Sequence, residues 1–136
     1  MEDRRISDSQ ITASSEWSPD YGPTNARLTR PADGSTTGSW VARTNDLLQW
    51  IQVDFSVPKM VSGIMMQGRE GYYQAQCVTR YRVEYKNGGT TWLAVRPMNY
   101  LQQPDQMVRI KLINMYYIHT LNGPNKCIKG YKDFVI

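Results

Sequence analysis

The sequence predicts an all-β domain, a β-sandwich or jelly-roll barrel with long loops at one end. Three observations carry this: short runs in which apolar and polar residues alternate, turn-forming residues between them, and hardly any helical periodicity. Taken in order, "QWIQVDF" (residues 49–55) sets Ile51, Val53 and Phe55 on one face, with Gln52 and Asp54 opposite. "VSGIMMQG" (61–68) is more continuously apolar, which predicts a strand covered on both faces. "RYRVEYK" (80–86) alternates almost perfectly, with Tyr81, Val83 and Tyr85 against Arg80, Arg82, Glu84 and Lys86. It runs through "NGG" (87–89) into "TTWLAV" (90–95), a hairpin signature. "MVRIKLI" (107–113) alternates again, with Val108, Ile110 and Leu112 against Arg109 and Lys111, and "YKDFVI" (131–136) reads as a last strand.

Three loop-like stretches interrupt the pattern, at residues 14–38, 43–48 and 69–76. Each is polar or glycine-rich, yet they carry Trp17 and Tyr21, then Leu47 and Leu48, then Tyr72 and Tyr73. Ser, Pro, Asp, Gly and Asn mark chain left in solvent, whereas large apolar side chains go where area can be buried. The loops therefore either pack onto their own domain or display these side chains to something else.

At 136 residues the chain is one domain, long enough for an ordinary core. With 40% hydrophobic and 21% charged residues it reads as globular, and no apolar run approaches the roughly 20 residues of a membrane span. No secretory signal is visible at the N-terminus. The net charge of +4 is concentrated at one end: residues 107–136 hold five Lys/Arg against one Asp/Glu, leaving 11 of each before them. Those five are split between Arg109/Lys111 and Lys126/Lys129/Lys132, a distribution that argues against nucleic acid as a partner. Cys77 and Cys127 make no disulfide framework and match no zinc spacing; a pair and two buried thiols both fit them.

Little here reads as catalysis. The single histidine, His119, sits in the apolar "MYYIHTL" with no nucleophile or carboxylate arrangement near it. Asp20, Asp33, Asp46, Asp54 and Glu70 lie in or near loops, where solubility and turn formation are their default uses, whereas a glycosidase needs two positioned carboxylates. No phosphate-cradling loop or metal-ligand His cluster occurs, so no enzyme is predicted. "PADGSTTGSW" (31–40) is the candidate metal loop. Asp33 offers a carboxylate and Gly34 a bend that aims carbonyls at Ca²⁺, against the plainer reading of an Asp-Gly turn.

"ISDSQITASSEWSPDYGPTNARL", "GSW", "LLQWIQVDF", "VSGIMMQGR" and "VTRYRVEYKNGGTTW", in that order over about residues 3–95, resemble the discoidin domain, also called the coagulation factor 5/8 type C domain. The resemblance implies an eight-stranded jelly-roll sandwich, extracellular and non-enzymatic, that binds through loops at one end. Members of that family bind glycans, anionic phospholipid surfaces, collagen or receptors. The protruding loops would be residues 16–21, 44–48 and 70–74. Trp40 and Trp50 match positions that pack in or against the core, and Asp33 falls where some glycan-binding relatives place a calcium loop. Met1 corresponds to an internal residue of the family pattern, and the likeness fades after Val95. The expectation is one domain over 1–136, lacking its first few residues and with an atypical segment from about 96.

Two functions compete. In the leading one, Trp17, Tyr21, Tyr72 and Tyr73 offer flat faces to a cell-surface or matrix glycan while Asp20, Asn45, Asp46, Glu70 and Gln74 hydrogen-bond its hydroxyls. In the alternative, Trp17, Leu47, Leu48, Tyr72 and Tyr73 enter an anionic phospholipid surface, aided by Arg43 and Arg69 and opposed by Glu16, Asp20, Asp46 and Glu70. A structural module whose loop aromatics fold back on the sandwich is the plain third reading.

Overall fold

The computed structural model describes residues 5–30, 37–61, 63–69, 76–95 and 106–119. Within them five strands form one antiparallel sheet: β1 (Ile11–Ala13), β2 (Trp50–Met60), β3 (Gln76–Lys86), β4 (Leu93–Ala94) and β5 (Gln106–His119), in the order β1-β2-β5-β3-β4. The alternation in the sequence fixes the two faces. Register sets Ile51 opposite Leu112 and Leu112 opposite Val83; two residues along, Val53, Ile110 and Tyr85 stand opposite one another. Between them lies the outer row of Gln52, Lys111 and Glu84, then that of Asp54, Arg109 and Lys86.

The inner face is covered by chain that forms no strand. Val53, Phe55 and Val61 are buried together, with Ile6, Ile64, Val83 and Tyr85 packed against them. Trp40 and Ala42 make a second cluster with Ala13, Ala26, Ile51 and Val78. Burying a side chain the size of Phe55 contributes about 1.5–3 kcal/mol. The N-terminal segment is tied down by polar contacts. Gln10 Nε2 donates to the Asp54 carbonyl at 2.7 Å, and the buried Arg27 guanidinium donates to the Ile6 carbonyl at 2.8 Å and to the Asp8 carboxylate.

The hairpin forms as the sequence predicts. Gly88 turns it with φ of 72°, a conformation that costs glycine little, and Glu84 pairs with Ala94 and Tyr85 with Leu93. Three expectations are corrected. Residues 61 and 63–68 lie outside every strand: Val61 and Gly63 are buried and Met65 is exposed, so an apolar run here lines the core as irregular chain. Tyr81, expected beside Val83 and Tyr85, is 39% exposed, because the β3–β5 register shifts on either side of Arg80. Trp40 is buried as expected, but Trp50 lies on the outer face with Lys111 Nζ 4.3 Å from its ring centroid. The terminal run at 131–136 and Cys127 lie outside the described residues. Among the described residues, no helix is long and apolar enough to cross a membrane.

Candidate functional site

The first two loops meet at the N-terminal end of β2, around one buried amide. Gln49, 6% exposed, accepts from Ser14 Oγ at 2.8 Å and Ser15 Oγ at 2.6 Å. Its Nε2 donates to Thr44 Oγ1 and to Asp46 Oδ1, both at 2.9 Å. All four of its hydrogen-bonding positions are therefore used, two toward each loop. Further bonds close the joint. Arg43 N–H donates to Ser15 Oγ at 3.1 Å, Trp17 N–H to the Val41 carbonyl at 2.8 Å, and the buried Trp40 Nε1 to the Ser15 carbonyl at 2.9 Å.

Asp46 organises the second loop. Its carboxylate accepts from the Leu48 N–H at 2.7 Å and from Thr44 Oγ1 at 2.8 Å, in addition to Gln49. Donors that favour the charged form, Gln49 first, then the Leu48 N–H and Thr44, hold this carboxyl below its ordinary range. The residue two positions on is thereby fixed in an Asx turn, with its side chain left outside.

Large apolar side chains occupy the solvent side of this frame. Trp17 is 65% exposed, Leu47 54% and Leu48 81%. Tyr21 is different. It is half-buried, with the Arg69 guanidinium 5.0 Å from its ring centroid and Arg69 Nη2 donating to its hydroxyl at 3.4 Å. Asp20 and Asn45 are exposed, and the Asp20 carbonyl accepts from Asn25 Nδ2 and Thr37 Oγ1, both at 2.9 Å. The Glu16 carboxylate lies against Gly22, where a Cβ would come 3.0 Å from Glu16 Oε2.

The structure thus brings Trp17, Asp46, Leu47 and Leu48 onto two joined loops and turns Tyr21 inward toward Arg69. Glu70, Tyr72, Tyr73, Gln74 and the calcium candidate Asp33 lie outside the described residues. Among the described residues no cluster of three or more His, Cys, Asp or Glu could hold a metal ion. The residues that sequence reasoning missed are the joint itself, Gln49 with Ser14, Ser15 and Thr44. The available signal was "TND" two residues before Leu48, an Asx-turn pattern.

Comparison with known proteins follows the same residues. The family model of the F5/8 type C domain matches residues 10–118, reaching past residue 95 through nearly all of β5. Over 99 residues the chain is 35% identical to EGF-like repeat and discoidin I-like domain-containing protein 3 of Mus musculus, covering 68% of this chain and 20% of that protein. Bovine (Bos taurus) lactadherin is 35% identical over 102 residues, covering 68% and 22% of the two chains. Mouse (Mus musculus) coagulation factor V is 39% identical over 100 residues, covering 71% and 4%. The chain thus spans about a fifth or less of the length of these relatives. Discoidin II of Dictyostelium discoideum superposes with a TM-score of 0.63 at 20% identity, over 79% of this chain and 50% of that one, which establishes the jelly-roll β-sandwich fold.

Proposed function

Because this chain belongs to the F5/8 type C domain family, we propose that it is a non-enzymatic, extracellular binding module whose loop end docks on an anionic phospholipid surface. The observation that carries the reading is the exposure of Trp17, Leu47 and Leu48 on backbone held by the buried Gln49 network. Exposed apolar side chains on a rigid frame lose little conformational entropy when they are buried at an interface. Each contributes about 1.5–3 kcal/mol on full burial, and tryptophan suits the headgroup level of a bilayer. One carboxylate near the headgroups, Asp46, is engaged within its own loop by three donors. Of the two arginines, Arg69 is committed to Tyr21 and Gln76, while the exposed Arg43, whose Nε donates to the Glu16 carbonyl at 3.4 Å, faces anionic lipid. The salt dependence is therefore small.

A glycan is the second reading, favoured by the exposed Trp17 ring as a stacking platform, with Asp20 and Asn45 as its polar neighbours. Sedimentation with phosphatidylserine vesicles, run beside a glycan array with and without Ca²⁺, separates the two. Vesicle binding that falls at least tenfold in Leu47→Ala/Leu48→Ala supports the lipid reading. A glycan signal that is lost in Trp17→Ala and unmoved by the leucine pair replaces it. Silence of the folded protein in both assays leaves the structural module.

A further inference from the structure

The outer face of the sheet carries a second feature, unlike the loop end in composition. Lys111 Nζ lies 4.3 Å from the Trp50 ring centroid and 5.5 Å from that of Trp92, and Lys86 Nζ lies 4.8 Å from Trp92. Register places Lys111 and Arg109 two residues apart on β5, about 7 Å along the strand, with Lys86 directly opposite Arg109 on β3. Arg82 continues the cationic set two residues before Glu84. Two acids share this face, and both sit low. Glu84 binds Arg82 at 2.7 Å with side chains 16% and 54% exposed, and Asp54 binds Arg109 at 2.7 Å with 25% and 47%. In both pairs the guanidinium is the more exposed partner, so among the described residues four cations against two acids present a net positive surface.

We infer that this face is a separate binding surface for a linear sulfated polysaccharide. The charge is complementary, and the cations are spread over neighbouring strands at spacings that suit successive anionic groups on one chain. Each tryptophan has a lysine ammonium against its ring, so the rings orient cations and are not open platforms for nucleic-acid bases. A polyanion bound this way releases counterions, and its affinity falls with salt.

The test is retention on immobilised heparin at about 50 mM salt, with competition by soluble heparin, unsulfated hyaluronan and single-stranded DNA. The wild-type chain is expected to be retained, and heparin to compete best. Lys86→Gln/Lys111→Gln should bind about tenfold more weakly, while Lys86→Arg/Lys111→Arg, which keeps charge and ring contact, binds as wild type. Should the glutamine pair fail to fold, Lys86→Gln alone leaves Lys111 on Trp50 and is expected to weaken binding about threefold. Leu47→Ala/Leu48→Ala should leave heparin binding unchanged, which separates this face from the loop end. Flow-through of the wild-type chain, wild-type affinity in folded glutamine variants, or equal competition by DNA or hyaluronan overturns the inference.

Discussion

The sheet and the loop end are patterned in opposite ways. In β2, Val53 and Phe55 are buried and Ile51 packs against the core, while Gln52 and Asp54 face out. One residue before the strand begins the order reverses: Gln49 is buried, while Trp17, Leu47 and Leu48 stand in solvent. Stability explains the first arrangement, because apolar area leaves water. It does not explain the second, where apolar side chains stay wet and the interior is filled by a fully used amide. The difference teaches that the loops spend their polar groups on holding a shape and keep their apolar groups for contact.

Substitutions sharpen this contrast in order of effect. Phe55→Ala should cost about 3–5 kcal/mol in urea unfolding, the ordinary penalty of a core cavity. Gln49→Ala should cost about 1–3 kcal/mol, because Ser14, Ser15, Thr44 and Asp46 lose a shared partner, and it should also weaken vesicle binding. If Gln49→Ala leaves amide exchange of residues 43–48 unchanged, the joint is not what orders the loop. Leu48→Ala should move stability by less than about 0.5 kcal/mol, since the side chain is already exposed. A larger loss would mean that Leu48 packs on its own domain, and the inversion would disappear.

Acid gives the smallest and most local effect. Asp46 has a lowered pKa in the folded chain, so its contribution is present above the unfolded value, near 4, and is lost as pH falls through the folded value. The Leu48 amide should therefore stay protected at pH 5 and open to exchange only below about pH 4. In Asp46→Asn that step should vanish. Protection that is flat down to pH 2 in the wild type contradicts the role of the carboxylate.

The legible part of the molecule was the part with a period. Alternation marked parts of β2, β3 and β5, because side chains two apart share a face, and "NGG" marked the hairpin after Lys86. The run at 61–68 misled for the same reason in reverse: a continuous apolar stretch carries no period, and burial by irregular chain looks identical to burial in a strand. Tyr81 was misplaced by register shifts that have no sequence mark. At the loop end, Trp17, Leu47 and Leu48 were visible as apolar residues among turn formers, but the direction of Tyr21 was set by Arg69, 48 residues away. Gln49 was invisible because a glutamine before a strand is unremarkable until its four partners, drawn from two loops, are seen together.

The most direct test of the loop end is fluorescence quenching by phosphatidylserine vesicles whose acyl chains carry bromine. Part of the wild-type tryptophan emission should be quenched on binding, and that part should be absent in Trp17→Phe, since Trp40, Trp50 and Trp92 lie in the core and on the outer sheet face. Bound vesicles with no quenching, or quenching that persists in full in Trp17→Phe, would contradict insertion of this loop.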